Sequence, residues 1–368
     1  MVKAKKQYGF SPDYAVSPGE TLKETVEFKG MTQKELSKRT GLTVQSINRI
    51  YNGDQPINYE TANKLELVTG VPARFWNNLE SKYREQLETV KELKRLNADI
   101  GWLESIPVSE LTKRGLIQKS DKKTLQLRET LKFFGVSSVS SWEEIWVEPK
   151  VATRRSQCFE SRPGHAATWI RIGEILAMDI ECRSFDKTLF KQALQNIRSL
   201  TLKSPREFIP QMIQICAQAG VAISLVPEMP KVPWSGATKW LTPKKAMIII
   251  NLRGKSEDKF WFSFFHEAGH VINDNKKSLY INDHSDDPVE KRADEFAANI
   301  LFPDGCRDQI PSLTTKVQIK KFAKKLNLSP GIVAGQYQFL TGNWSWYKDL
   351  IKKFVWENNI LKQKEPLS

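Results

Sequence analysis

Residues Phe260–His270 read FWFSFFHEAGH. Five of the first six residues are large and apolar, so a helix there has no polar face and belongs in the middle of a domain. The same helix continues through His266 and His270, four residues apart and therefore one above the other on one face. Two imidazoles so placed can bind one zinc ion, with Glu267 beside the open coordination position. The bland alternative is a surface helix with two hydrogen-bonded histidines, and the apolar run before it argues against a surface. The chain must therefore build a core around a helix that carries metal-competent groups.

Zinc needs a third protein ligand. The glycine and third histidine of the long metzincin motif are missing, since Asn273 and Lys276 stand in their places. The candidates downstream are His284, Glu290 and Asp294. In DPVEKRADEFAANILFP, Asp287 reads as a helix cap and Pro288 as the first helical residue. Glu290 then falls three residues past the cap, where its bland role is to complete a capping box. Glu290, Ala293, Asp294 and Ala297 nevertheless share a face, and the alanines allow close approach to another helix. An E-x-x-x-D helix beside an H-E-x-x-H helix is the gluzincin arrangement, in which the glutamate binds zinc and the aspartate orients a ligand histidine. On ligand type Glu290 is preferred and His284 comes second.

The four cysteines, Cys158, Cys182, Cys216 and Cys306, are far apart and include no C-x-x-C pair, which argues against a disulfide framework and a cysteine zinc cage. The basic N-terminus lacks the apolar run of a signal peptide, and AMIII at 246–250 is too short to span a bilayer. A cytoplasmic protein without membrane contact is expected. The net charge is +14, and half of it comes from ten lysines set against Asp349, Glu357 and Glu365 beyond residue 312. In KVQIKKFAKKLNL the lysines alternate with apolar residues at helical spacing, as on a solvated helix face.

The periodicity divides the chain into a tail (1–17), a helical domain (18–96), a helical linker (97–150), an α+β domain (151–345) and a basic C-terminal helix (346–368). Within the α+β domain, helices are expected near 165–182, 186–200, 205–219, 256–275, 288–302 and 315–327, and one more near 346–359. GVAISLV (220–226) and KAMIIINL (245–252) are β-rich, with a Pro-rich loop and SGATKWL between them. The second of these runs could pair with an extended substrate backbone. Arg253 is near enough in sequence to be considered as an oxyanion donor, and His165 receives no role.

MTQKELSKRTGLTVQSINRIYNGD (31–54) has the parts of a helix-turn-helix. Thr32 and Glu35 form a T-x-x-E capping box, Ser37 is small where two helices cross, and Gly41 supplies the turn. Leu36, Leu42, Ile47 and Ile50 are spaced to lock the helices together. Thr43 caps a second helix whose exposed start would enter a major groove. The expected DNA-facing set is Gln33, Thr43, Val44, Gln45, Ser46, Asn48 and Arg49, with Gln45 suited to adenine and Arg49 to guanine or phosphate.

Two stretches resemble known families. The N-terminal one, from SPGETLKETVEF through the NG-x-x-PI turn to GVPARFWNNLE, resembles the Xre-family helix-turn-helix of HigA-type antitoxins. This implies binding to a double-stranded operator, usually as a homodimer, and admits a toxin encoded nearby as a further partner. The second, over about 150–345, resembles the ImmA/IrrE metallopeptidases in SGATKWL, IIINLRGK, FWFSFFHEAGH, EKRADEFAANILFP and LSPGIVAGQYQ. That resemblance implies zinc on His266, His270 and Glu290 and a catalytic base at Glu267. Asp294 stands where the family commonly has asparagine. Members of that family cleave a repressor and so switch on stress or mobile-element genes.

The expected fold is therefore multidomain: an all-α helix-turn-helix domain, a helical linker and an α+β gluzincin-like metallopeptidase domain. The expected function is a DNA-binding regulator with zinc-dependent endopeptidase activity on a regulatory protein, either a repressor or the chain itself. The second reading is an antitoxin-like repressor whose metallopeptidase fold senses without cutting. An intact base at Glu267 favours the first, since a pure sensor has no need of one.

Overall fold

In the computed structural model, residues 15–147, 162–276, 279–281, 287–303 and 305–364 are described. The chain forms two compact units, one up to Gly101 together with Ser120–Arg128, the other from Trp102–Lys119 together with Glu129 onwards. Cys158 and His284 lie outside the described residues, and Cys182, Cys216 and Cys306 are free thiols.

The first unit is helical: α1 (Pro18–Phe28), α2 (Gln33–Thr40), α3 (Val44–Tyr51), α4 (Tyr59–Thr69) and α5 (Ala73–Ala98). Its core is built from Leu22, Leu36, Ile47, Ile50, Leu65 and Trp76 and includes three of the four apolar positions read from the motif, with Leu42 packed at its edge. Thr32 caps α2 by accepting from the Glu35 N–H at 3.2 Å, but the Glu35 carboxylate takes the Arg39 guanidinium at 3.0 Å, so it is Arg39, one turn on, that engages the expected capping-box partner. Gly41 closes α2 at φ +72°, a left-handed conformation in which a Cβ would be strained. The Ser37 hydroxyl spans the turn by donating to the Leu42 carbonyl at 2.6 Å. Buried Glu80 fixes the loop after α3: it accepts from the Ile57 N–H at 3.0 Å and from Arg84 at 2.7 Å, while Arg84 also reaches the Gly53 carbonyl at 3.3 Å.

In linker and second-unit sequence follow α6 (Val108–Lys113), α7 (Lys123–Phe134), α8 (Val139–Trp146), α9 (Pro163–Met178), α10 (Lys187–Arg198) and α11 (Pro205–Gln218). Strands β1 (Val221–Leu225), β2 (Gly236–Thr242) and β3 (Lys245–Ile250) precede the histidine helix α12 (Glu257–Asn273). After it come β4 (Tyr280–Ile281), α13 (Pro288–Leu301), α14 (Lys316–Leu326), α15 (Pro330–Thr341), β5 (Phe354–Glu357) and β6 (Ile360–Gln363). The main sheet has the order β1-β3-β2-β4, with β1 and β3 parallel and the other pairs antiparallel.

Strand alternation assigns each side chain to one of two cores. Ala246, Ile248 and Ile250 of β3 join the core that contains α11, α12 and α15, whereas Met247 and Ile249 join the core that contains α9. The same alternation in β2 turns Lys239 towards α9, where it meets Glu174 at 2.5 Å, and Thr238 towards α12, where it meets Glu267.

Two expectations fail here for physical reasons. Strand β3 lies between β1 and β2 and uses both of its edges within the sheet, so its backbone has no free edge for a substrate. The basic C-terminal helix is instead a short turn (Lys348–Leu350) followed by the β5–β6 hairpin. Asn358 and Asn359, at φ +50° and +61°, form its two-residue turn, a conformation that asparagine accepts more easily than most residues. Phe354 and Leu361 are the buried positions of its strands. Helix α14 matches the solvated-face reading, with Ile319, Phe322, Ala323 and Leu326 buried and its lysines exposed. No helix among the described residues is long and apolar enough to cross a membrane.

Candidate metal centre and nucleic-acid interface

Helix α12 is buried from Phe264 to Ile272, and it packs against β2, β3, α13 and α15. Close packing against α13 depends on Gly269, where a Cβ would stand 3.3 Å from the Ala293 backbone and 3.2 Å from the Phe296 ring. This approach brings Glu290 opposite the two histidines. His266 Nε2 lies 3.1 Å from His270 Nε2 and 3.1 Å from Glu290 Oε2, and His270 Nε2 lies 3.4 Å from Glu290 Oε1. Glu290 therefore faces the imidazoles, and the cap of α13 is supplied by Asp287, which accepts from the Val289 N–H at 2.7 Å.

The outer ring nitrogens determine the tautomers. His266 Nδ1 donates to Asp294 Oδ1 at 2.7 Å, and His270 Nδ1 donates to Asp274 Oδ2 at 2.7 Å. Each Nε2 of a neutral ring then presents a lone pair to the same point as the Glu290 carboxylate. Ligand atoms about 2.0–2.1 Å from one tetrahedral ion are separated by about 3.3 Å. The spacing of 3.1–3.4 Å thus fits a metal, and His266, His270 and Glu290 are the group among the described residues that could hold one. Asp274 is itself paired with Arg292, and Tyr280 stacks on His270 at 4.8 Å, with its hydroxyl accepting from the Asn275 N–H at 2.9 Å.

Glu267 is fully buried between the same helix and β2. Thr238 Oγ1 lies 2.6 Å from its Oε2 and 3.1 Å from its main-chain oxygen. Its Oε1 has no hydrogen-bond partner among the described residues. Gly236 provides the space, because a Cβ there would fall 2.6 Å from Oε1. Burial raises the Glu267 carboxyl to about 7, against the pull of the two imidazoles and Thr238.

Without a cation, protons would take its place. Burial would lower both imidazoles, but hydrogen bonds donated to the carboxylates outweigh it: Asp294 and Glu290 raise His266 to about 10, and Asp274 and Glu290 raise His270 to about 9. Burial would raise Glu290, and the two histidines pull it down to about 2. These are the shifts of a cluster that demands positive charge at its centre.

In the first unit, Thr43, Val44, Gln45, Asn48 and Arg49 are exposed on the start and outer face of α3. Ser46 and Gln33 are half-buried and engaged within the domain: Ser46 Oγ accepts from Gln55 at 2.7 Å, and Gln33 Nε2 donates to the Val44 carbonyl at 3.3 Å. Those two serve first to fix the helix pair. Arg253, weighed as an oxyanion donor, gives its guanidinium to the Val232 carbonyl at 2.8 Å.

Residues 22–76 match the helix-turn-helix family model, and residues 225–334 match a peptidase family model described as IrrE N-terminal-like domain. The chain fuses an Xre-like helix-turn-helix domain to an IrrE/ImmA-like metallopeptidase domain. A search of the curated proteins gave no match. The second match spans Thr238, both histidines, Glu290 and Asp294. Sequence reasoning missed Asp274, Tyr280, Thr238 and Gly236. For Asp274 the signal was its position four residues after His270, and for Thr238 and Gly236 it was the alternation of SGATKWL as a strand.

Because both imidazoles are raised well above neutrality by their carboxylate partners, metal binding must displace protons from them. Divalent-metal affinity should therefore rise with pH through the neutral range. Calorimetry in buffers of different ionisation enthalpy should show net proton release on metal binding at pH 7. Glu290→Ala should lose the metal, and retention there with loss in His284→Ala would assign the third ligand to His284.

Proposed function

We propose that this protein is a zinc-dependent endopeptidase of the gluzincin type that cleaves a regulatory protein, a repressor or its own chain, and so controls the genes whose operator its helix-turn-helix domain binds. The observation that carries this reading is the convergence of His266 Nε2, His270 Nε2 and Glu290 beside a buried, half-satisfied Glu267. A site meant only to bind metal for sensing has no use for that carboxylate.

Zinc, when bound, would supply Lewis acidity to a scissile carbonyl and to water. The remaining chemistry belongs to the chain. Thr238 holds Glu267 by its Oε2, which leaves Oε1 to accept a proton from the attacking water. The same carboxyl can hand the proton on to the leaving amine. Asp294 and Asp274 accept from both Nδ1 atoms, so each histidine would offer its Nε2 lone pair once a metal displaces the proton there. At the other end of the chain, exposed Gln45 and Arg49 would read base edges, while the lysines and arginines of the domain meet phosphates.

The DNA arm is tested with the full chain and the promoter of its own operon. Binding should weaken steeply with salt as counterions are released. Gln45→Ala and Arg49→Ala should lose discrimination between operator and random duplex more than non-specific affinity. Equal affinity of the wild-type protein for both duplexes at physiological salt would discard operator binding.

The peptidase arm is tested with Glu267→Gln. Glutamine keeps the shape and leaves both histidines in place, so metal content and folding should match the wild type. Peptide hydrolysis should fall roughly 10²–10⁴-fold, since the amide cannot take the proton. If no fragment of a co-expressed repressor or of the chain itself appears with either protein, and both regulate alike, the proteolytic reading fails.

A further inference from the structure

Beside the candidate metal centre, in the second unit, lies a cavity of about 680 Å³. Its volume is in the range of ligand sites, about 300–1,000 Å³. Neither Glu267 nor any of the three candidate ligands lines it. Its border with the centre consists of Ser235, Ser263 and Asp294. Ser235 immediately precedes the glycine that lies against Glu267, Ser263 is one turn before His266, and Asp294 holds the His266 ring. The cavity thus shares Asp294 with the metal centre and is lined by near neighbours of Gly236 and His266.

The interior and the rim have different chemistry. Buried Leu252, Phe260, Leu301, Phe302 and Ile332 form an apolar floor. Phe339 and Trp344 stand at the wall, 63% and 59% exposed, and extend the apolar surface outward from the floor. Arg253, Lys255, Lys259, Lys291 and Arg307 bring positive charge to the lining and outnumber its acids, Asp258, Asp294 and Glu295. Arg253 and Arg307 are tied down, the first to the Val232 carbonyl and the second over the Phe339 ring. The ammonium groups of Lys255 and Lys259 have no hydrogen bond or ion pair among the described residues, and the stem of Lys259 packs where a side chain on Gly254 would go. The stem of Lys259 is thus packed while its charge is left for something else.

We infer that this cavity is a peptide subsite of the peptidase, which seats a large apolar side chain on the floor and takes flanking acidic residues on Lys255 and Lys259. An apolar floor alone would suit any hydrocarbon. The unpaired cations select a partner that carries carboxylates next to its apolar group, and an extended acidic peptide segment has that pattern. The inference rests on the peptidase reading and names its substrate class. It also makes a cationic flank on the substrate unfavourable, which provides selection against other chains.

The test uses the full-length Glu267→Gln protein loaded with zinc and fluorescein-labelled eight-residue peptides. One has a central Leu-Phe flanked by glutamates, a second the same centre flanked by lysines, and a third the glutamates around Ser-Ser. The first should bind at least tenfold more tightly than either of the others. Because Lys255 and Lys259 are exposed, Lys255→Glu with Lys259→Glu should leave the fold intact and reverse the order of the first two peptides. Phe339→Ser with Trp344→Ser should weaken the first peptide to the level of the third. Equal binding of all three peptides, or an order that none of these variants changes, would overturn the subsite. Cleavage is then measured separately with the wild-type protein and the same variants. Hydrolysis whose sequence preference ignores the variants would overturn the subsite and leave the peptidase reading standing. Binding with the predicted selectivity but no hydrolysis by the wild type would support the cavity's specificity and remove the peptidase reading on which its role depends.

Discussion

The second unit is organised around three lone-pair groups that repel one another when no proton or cation lies between them. His266 Nε2 and His270 Nε2 stand 3.1 Å apart in the interior, 3.1 Å and 3.4 Å from the two Glu290 oxygens respectively. Buried polar groups of this kind are costly unless each is satisfied. Much of the neighbouring architecture can be understood as meeting that requirement. Asp294 and Asp274 take the outer ring protons, Arg292 neutralises Asp274, Tyr280 covers one ring face, and Gly269 lets α13 come close enough for Glu290 to arrive.

The sheet contributes as much as the helices. Strand β2 runs beside the histidine helix, and strand parity decides that Thr238 faces it while Lys239 faces the opposite layer. The carboxyl of Glu267 is consequently held at one oxygen and open at the other, inside a pocket that a side chain on residue 236 would close. The first unit solves a simpler problem by comparable means. Its buried carboxylate, Glu80, pins the loop after α3 through a main-chain N–H and an arginine.

What was legible in the sequence was mostly what local spacing controls. The apolar run before His266 marked a central helix, the i, i+4 histidines marked a shared face, and the E-x-x-x-D spacing on α13 put Glu290 and Asp294 on the side that meets them. The helix-turn-helix was legible because a small residue, a glycine and four apolar positions must coincide in it. The misses came from long-range pairing or from turn chemistry. β3 was open to be read as a free edge because β2, hidden in SGATKWL, was not recognised as a strand, and only pairing shows β3 to be central. The C-terminal helix was mistaken because lysines and apolar residues at mixed spacing fit either period, whereas the Asn-Asn pair that dictates a hairpin was passed over. Thr238 and Gly236 carry no signal of chemistry in isolation. Their role arises only when β2 is laid against α12.

The central claim is that one ion sits between two imidazoles and one carboxylate. X-ray absorption of the zinc-loaded full-length protein tests it directly. The account predicts a first shell of two imidazole nitrogens and oxygen ligands at about 2.0–2.2 Å, with no sulfur, and loss of stoichiometric zinc when Glu290 is replaced. A third imidazole in that shell, or a sulfur at about 2.3 Å, would contradict it.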